Sequence, residues 1–449
     1  MPVRTLFSQK KSHTVLLPPP AILIIMYGIC IGLGALLLML PISSNASTSW
    51  YDALFTAVSA VTVTGLAVVD TGTHFTLFGQ IVIAILIQLG GLGLMTFAVL
   101  ILTALGMRIP IRKQILLRED LNHTNLGSLV RLVWVILKVV IVLEIVGAIL
   151  LAYRFIPIFG WQEGIWHAIF HSISALNNAG FGLLPDSLSR WVGDPLINLV
   201  IPGLFIIGGL GYSVLSDINE KRRWKTLTLH SKLMLSGSLV LIVWGMFAFM
   251  LLEWHNPKTL AALDSNSARI WASWFQSVTT RTAGFNTVDI GSLYDSTSLM
   301  MIPLMFIGGG STSTAGGIKV TTFILLMLSV VAFLKRQDHV SIFNRSLSIE
   351  QMLKVLALVS ISLLITITGL FVITISNHES FIDLAFEVFS AFGTVGLSRG
   401  VTTNLDSVGR LVIIIIMFFG RVGPLALGFF LATKSTPRVR YPAGQVFLG

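Results

Sequence analysis

Charge is the scarcest property of this 449-residue chain. Only 11% of its residues are charged, against about 25% in a soluble domain. With 54% hydrophobic residues and a mean hydropathy of +0.85, that deficit excludes a soluble globular protein and points to a polytopic membrane protein. Cys30 is the single cysteine, so no intrachain disulfide can form, and a buried small apolar role is its default. HExxH, GxSxG and a buried Asp pair are missing, which argues against an intramembrane enzyme. A Walker site needs Gly-Lys-Ser/Thr, but Gly317 is followed by Ile318, Lys319 and Val320. No soluble nucleotide-binding domain is expected in the chain. Acidic residues are also few, 20 against 30 Lys and Arg, for a net charge of +10. In a soluble protein that excess would suggest nucleic acid; here the basic residues lie in short loops between apolar runs, and topology accounts for them.

Long apolar runs are abundant. Residues 21–41, AILIIMYGICIGLGALLLMLP, are long enough to cross a bilayer, which takes about 20 apolar residues. Arg4, Lys10 and Lys11 precede this run, as in a signal peptide. Its apolar core exceeds the roughly 7–15 residues of a signal h-region, and no clean cleavage site follows, so it reads as a retained first span.

Four short segments share one pattern: WYDALFTAVSAVTVTGLAVVD (50–70), WHAIFHSISALNNAGFGLLPD (166–186), WFQSVTTRTAGFNTVD (274–289) and FEVFSAFGTVGLSRG (386–400). Aligned on Gly65, Gly180, Gly284 and Gly396, each has an aromatic ten residues earlier: Phe55, Phe170, Trp274 and Phe386. Three have a serine six residues earlier (Ser59, Ser174, Ser390), and three an aspartate five or six later (Asp70, Asp186, Asp289); the fourth has Arg399 nearby. The glycines stand 115, 104 and 112 residues apart. A long apolar run precedes each segment (21–41, 130–153, 233–252, 353–375) and another follows (76–104, 196–215, 298–333, 409–432). Each following run has glycines in its middle: QLGGLGL, IIGGLGY, FIGGGST and FFGRVGP.

The expected fold is therefore an all-α polytopic membrane protein. Four helix–re-entrant P-loop–helix repeats take a pseudo-four-fold arrangement around one pore, with eight spanning helices. The short segments cannot span, being about 12 residues long before the glycine, and bare backbone at membrane depth is tolerated only against protein or water. The expected division is an N-terminal tail (1–20), repeat 1 (21–104), a linker (105–125), repeat 2 (126–216), a linker (217–229), repeat 3 (230–333), a linker (334–350), repeat 4 (351–433) and a C-terminal tail (434–449). Of the 30 Lys and Arg, 17 fall in the tails and linkers and three more, Arg131, Lys232 and Lys354, at the start of the following repeat, 20 in all. The positive-inside rule then places both termini and the linkers in the cytoplasm and the glycine turns in the outer half of the membrane.

Converging loops of backbone carbonyls can strip and replace the water shell of a cation. Glycine lets consecutive carbonyls turn inward without a Cβ clash, and four half-helices aim their negative C-terminal ends at the cavity. The candidate filter stretches are Val61-Thr62-Val63-Thr64-Gly65, Leu176-Asn177-Asn178-Ala179-Gly180, Thr280-Arg281-Thr282-Ala283-Gly284 and Phe392-Gly393-Thr394-Val395-Gly396. Arg281 would repel a cation if it pointed inward. It is expected to point away and pair with a carboxylate, Asp289 being a candidate, as a structural pin or as a tuner of selectivity.

Repeat 3 carries Gly308-Gly309-Gly310-Ser311-Thr312-Ser313-Thr314-Ala315-Gly316-Gly317 inside its second helix. Glycine costs about 1 kcal/mol per helical residue relative to alanine, and Ser and Thr offer competing hydrogen bonds, so the helix should break within 308–319. Irregular backbone cannot face lipid. The run should face the cavity beneath the filter, with Lys319 beside it, as a gate or as a passive constriction. Arg421, at the matching place in repeat 4, is an intramembrane arginine that should face protein or water; the carbonyls and hydroxyls of the run are expected partners.

TVTGL, NNAGF, TRTAGF and GTVGL in order, with GGGSTSTAGGIK, resemble the Trk/Ktr/HKT superfamily of potassium transporters along essentially the whole chain. The resemblance implies potassium uptake through a channel-like translocating subunit in the cell membrane. It implies that the 308–317 run is an intramembrane gating loop, that Arg421 forms an electrostatic barrier beside it, and that glycine rather than serine at Gly65 favours K⁺ over Na⁺. It implies no covalent cofactor, K⁺ as substrate with Na⁺ as a secondary ion, a homodimer, and a cytoplasmic ring of KtrA-type regulatory subunits that binds ATP or ADP. The basic segments around Arg112, Arg222 and Lys335 are candidate docking faces or topology signals alone; nucleic acid is not an expected partner, and membrane lipid is. The alternative is an alternating-access secondary cation transporter coupled to Na⁺ or H⁺, for which Glu144 is one of few embedded carboxylates.

Overall fold

The computed structural model describes residues 19–93, 129–337 and 340–423. Expectations for the tails, the 105–125 linker, the Arg112 region, residues 94–104 of the first repeat and 424–433 of the fourth lie outside the described residues. Fourteen helices are described. They are α1 (Pro19–Leu38), α2 (Trp50–Val61), α3 (Thr71–His74), α4 (Leu77–Leu92), α5 (Leu129–Leu176), α6 (Pro195–Leu210), α7 (Tyr212–Lys221), α8 (Leu229–Glu253), α9 (Asn266–Thr279), α10 (Asp295–Phe306), α11 (Val320–Leu334), α12 (Ile349–Ser376), α13 (Phe381–Gly393) and α14 (Ser407–Val422).

The outer helices are apolar on faces that meet no protein. Leu251, Ile149 and Phe371 are well exposed on α8, α5 and α12, as lipid-facing positions are in a membrane fold. By length and composition α5, α8 and α12 can cross a membrane, and α6 with α7 makes a fourth if that bent pair is one span. α5 is interrupted at Gly160, whose φ is 80°, so its last turns form a separate short helix leading to Leu176.

The short helices α2, α9, α13 and the end of α5 are sheathed by these outer helices. Phe55, Phe170, Phe275 and Phe386 on them are all fully buried. Packing runs in a circle: α4 lies on α5, α6 on α9, α10 on α13, and α14 on α2. A polar link accompanies each contact. Trp166 Nε1 donates to Gln80 Oε1 at 2.7 Å, Trp274 Nε1 donates to the Asn198 carbonyl at 3.0 Å, Arg399 pairs with Asp295 at 3.2 Å, and Arg410 pairs with Asp52 at 2.8 Å.

Two expectations need correction. The 196–215 run is not one straight span: α6 stops at Leu210, Gly211 takes a φ of 99°, and α7 departs at 92°. Gly93 and Gly423 likewise carry positive φ at the ends of α4 and α14, so helix-ending glycines recur beyond the third repeat. The chain is also not wholly helical, since Ser341–Ile342 (β1) and Arg345–Ser346 (β2) form an antiparallel hairpin in the 334–350 linker. Its turn residues Phe343 and Asn344 both have positive φ.

Phe386→Ala leaves a cavity where the sheath meets a short helix and should cost about 3–5 kcal/mol, read as a lower thermal unfolding midpoint in detergent. At the mouth of α14, Asp406 accepts from the Gly409 amide at 2.7 Å and from Asn377 Nδ2 at 2.9 Å. The Gly409 amide foremost, then Asn377 and Ser376, hold its carboxyl below the ordinary 3.8 against a smaller opposing effect of burial. A depressed folded-state value gives stability that is complete above the unfolded value and lost as pH falls through the folded one. The stability lead of the wild type over Asp406→Asn should therefore be full at pH 7 and shrink below about pH 4; a lead independent of pH would contradict this.

Candidate ion pathway

The four glycine turns meet. A Cβ added to Gly65 would stand 3.0 Å from Gly180 Cα, one on Gly180 would stand 2.8 Å from Gly284 Cα, and one on Gly284 would stand 3.5 Å from Gly396 Cα. One on Gly396 would stand 3.0 Å from Gly65 Cα and close the ring. All four glycines have φ between 70° and 90°, a region open to them because they lack a Cβ. Two residues earlier, Val63, Asn178, Thr282 and Thr394 are also left-handed, with φ of 57°, 57°, 66° and 51°. For β-branched Val63, Thr282 and Thr394 that conformation is a genuine outlier.

Helix-end hydrogen bonds produce this shape. In the first, second and fourth segments the amides of Thr64, Ala179 and Val395 reach back five residues to the carbonyls of Ser59, Ser174 and Ser390, each at 2.8 Å. Val63, Asn178 and Thr394 donate three residues back. This is the Schellman pair of bonds, with the left-handed residue at the position where glycine is usual. The serine six residues before the glycine gains a role here: Ser59 Oγ and Ser390 Oγ accept from the Gly65 and Gly396 amides, both at 3.1 Å. The third segment lacks that serine, and Ala283 donates to Thr279 instead, four residues back.

Of the twenty predicted filter residues, all but Gly65, Gly180 and Gly396 are buried. Several side chains are spent within the scaffold. Thr62 Oγ1 donates to the Val58 carbonyl, Thr280 Oγ1 to the Ser277 carbonyl, and Asn177 Nδ2 to Gln88 Oε1 and Glu144 Oε1. The glycine ring forms the floor of an open cavity of about 250 Å³, with Asp70 and Asp289 on its wall.

On the other side of the ring lies the 308–317 run. It leaves α10 at Ile307, bridges to Ile318 and enters α11 at Val320. It is a pinned loop. Gly310 and Thr314 donate to the Gly209 and Gly208 carbonyls, Gly317 donates to Gly420, and Tyr212 donates to Thr312. Two bonds tie it to the candidate filter segments: Thr314 Oγ1 to Asn178 Oδ1 at 2.7 Å, and the Gly316 amide to Thr394 Oγ1 at 3.1 Å. Arg421 donates to the carbonyls of Thr314 and Gly90 and reaches Gly91 at 3.4 Å. Lys319 Nζ donates to the Ala315 carbonyl at 2.7 Å.

A family model described as TrkH, cation transport protein, matches residues 6–437. The chain belongs to the TrkH family. It is 49% identical over 99% of its length, and all of the relative's, to the Ktr system potassium uptake protein B of Bacillus subtilis. It is 43% identical to the protein of the same name from Vibrio alginolyticus, over 92% of this chain and 91% of that one. It is 38% identical to the potassium/sodium uptake protein NtpJ of Enterococcus hirae, over 98% and 99% of the two chains. The crystal structure of the potassium transporter TrkH from Vibrio parahaemolyticus has the same fold, with a TM-score of 0.73 at 20% identity over 95% of this chain and 87% of that one.

Within this TrkH-family chain the expected pairing of Arg281 with Asp289 does not form. Arg281 points away from the ring, as expected, but its NH2 meets Ser238 Oγ on α8 at 3.2 Å. Asp289 is consumed in its own turn, accepting from the Gly291 amide and Ser292 Oγ.

The role of three glycines in the mid-run motifs escaped the sequence reading. A Cβ at Gly90, Gly208 or Gly420 would fall 2.0–2.1 Å from the carbonyl oxygen of Val61, Leu176 or Phe392. In each case that oxygen belongs to the residue four before the ring glycine. The signal lay in QLGGLGL, IIGGLGY and FFGRVGP, whose glycines are needed for contact with the candidate filter segments as well as for ending helices. Gly208→Ala should destabilise the fold by about 1–3 kcal/mol through overpacking, measured by thermal unfolding. Gly203→Ala on the same helix, where a Cβ meets nothing within 4 Å, should not.

Proposed function

We propose that this chain is the potassium-translocating subunit of a Ktr-type uptake system. The observation that carries the reading is the closed ring of Gly65, Gly180, Gly284 and Gly396 between the open cavity and the pinned loop. In this reading four repeats of two spanning helices and one re-entrant segment surround a single pore, with both termini cytoplasmic. Carbonyls of the four stretches replace the hydration shell of K⁺, and the C-terminal ends of the short helices favour a cation. The names of the relatives, two potassium uptake proteins and a potassium/sodium uptake protein, support K⁺ as substrate and Na⁺ as a secondary ion.

The gate in this reading is the 308–317 loop with Lys319 and Arg421. Two cationic side chains and a pinned backbone below the ring oppose passage of K⁺, and ions move when the loop shifts. The membrane potential drives uptake, contributing about 2.3 kcal/mol per charge per 100 mV. Nucleotide control would be exerted from outside the chain by cytoplasmic regulatory subunits that bind ATP or ADP, on a homodimer of this chain. The Ktr system names of the relatives support such a multi-subunit arrangement.

Reconstitution into liposomes tests the reading. Removal of Gly309–Gly316, or Arg421→Gln, should raise K⁺ flux about tenfold or more, since each 1.4 kcal/mol off a barrier is a factor of ten. Channel-like turnover should separate the protein from an alternating-access carrier. Unchanged flux with selectivity intact would keep the pathway and remove the gate; no K⁺ flux from folded protein in either form would sink the proposal.

A further inference from the structure

A second cavity lies away from the ion pathway, at the end of α8 opposite Glu253. It measures about 520 Å³ and is built from the segment joining α7 to α8 and from the β1–β2 hairpin. Lys221, Lys225, Lys232 and Arg345 line it together with Phe343. Four cationic side chains thus converge on one hollow. No carboxylate lines the hollow among the described residues, and Asp217 beside it is already occupied: it pairs with Lys221 at 2.8 Å and accepts from the Thr228 amide and Ser231 Oγ at 2.9 and 2.6 Å. Lys232 Nζ donates to the Lys225 carbonyl at 3.0 Å and lies 6.0 Å from the centroid of the Phe343 ring. Among the described residues Lys225 and Arg345 make no ion pair.

The position of the cavity says which anion fits. α8 begins at Leu229 on its rim, and the hairpin sits between the end of α11 at Leu334 and the start of α12 at Ile349, so three apolar helices end or begin here. Exposed Phe343 lines the hollow, and exposed Trp224, Leu334 and Ile349 stand on the segments that lead into it. Aromatic and aliphatic side chains beside Lys and Arg at helix ends mark the membrane–water interface, and basic pockets between helix ends suit phosphate headgroups. A soluble anion would gain nothing from that apolar collar, whereas a phospholipid would place its phosphate on the cations and its chains along α8 and α11.

We propose that this hollow binds the headgroup of an anionic phospholipid, with Lys225, Lys232 and Arg345 as its phosphate contacts. Its neighbour α7 begins at the 308–317 loop, where the Tyr212 amide and Ser213 Oγ meet Thr312, so occupancy bears on a segment that touches the ion pathway. The inference does not depend on potassium being the transported ion.

The test uses the full chain in detergent, titrated with phosphatidylglycerol or phosphatidylcholine and read by native mass spectrometry. Wild type should retain phosphatidylglycerol at least about tenfold more tightly, and K225Q/K232Q/R345Q should lose that preference, since each basic residue near a membrane surface contributes about a factor of five. K258Q, on the opposite side, should behave as wild type. If the triple variant does not fold, Lys225→Gln alone, whose side chain makes no bond among the described residues, should fold and weaken binding a few-fold. Displacement of the lipid by millimolar glycerol phosphate would reassign the site to a free phosphate. Equal retention of both lipids, or a preference untouched by the substitutions, would overturn the proposal and leave the basic face to an acidic protein surface.

Discussion

Backbone that stops being helical at membrane depth must find partners for its polar groups or face water. The whole architecture follows from that constraint. Each short helix ends in a hydrophobic sheath, and its last carbonyls and the next amides need somewhere to go. In three segments the paired helix-end bonds, with Ser59 or Ser390 helping in two of them, absorb the amides. The carbonyls cannot all be absorbed in the same way. Those of Val61, Leu176 and Phe392 lie against glycines of neighbouring helices, and the turns beyond them meet at the glycine ring.

Such a turn is not comfortable on its own. A non-glycine residue in the left-handed region costs about 1–3 kcal/mol and persists only where its surroundings over-determine it. Four occur here at equivalent places. What holds them is mutual: each ring glycine sits against the next turn, and each second helix packs on the following short helix with a polar link of its own. A circle of this kind has no free end, so a fault in one segment is felt by its two neighbours. Clustering of strain where four chain segments meet is the pattern expected of a functional site rather than of a packing defect.

Much of this was legible in the sequence. The near-equal spacing of Gly65, Gly180, Gly284 and Gly396 identified the segments that converge, because glycine tolerates both the φ and the close approach. The break at 308–317 was legible because glycine and hydroxyl residues cannot hold a helix against their competing bonds. The partners of single side chains were not. Arg281 could have met any carboxylate by sequence, and it meets Ser238, because α8 rather than the 286–292 turn lies behind the third segment. The bend at Gly211 was hidden for a similar reason: IIGGLGY reads as apolar helix, and the turn there is packed against a distant segment, the Tyr212 amide donating to the Thr312 carbonyl and a Cβ on Gly211 falling 2.4 Å from the Ser311 oxygen. Contacts between elements distant in the chain, such as Thr314 with Asn178, leave no local pattern to read.

The loop below the ring is flexible in composition but constrained in place. Its backbone makes hydrogen bonds to Gly208, Gly209, Tyr212 and Gly420, and its polar atoms meet Asn178, Thr394 and Arg421. Each such bond is worth about 0.5–1.5 kcal/mol net. A movement that broke all of them without replacement would cost several kcal/mol, too much for a loop that opens spontaneously and often. For the loop to act as the gate proposed above, water or new contacts must take over the freed groups, or neighbouring elements must move with it. α7 is the element best placed to do so. It is bonded to Thr312 at its first residues and leads directly to the basic α7–α8 segment, so a force applied there reaches the loop through one short helix instead of through the sheath. The glycines of the loop supply the freedom to change shape, while the bonds around it decide when that freedom can be used.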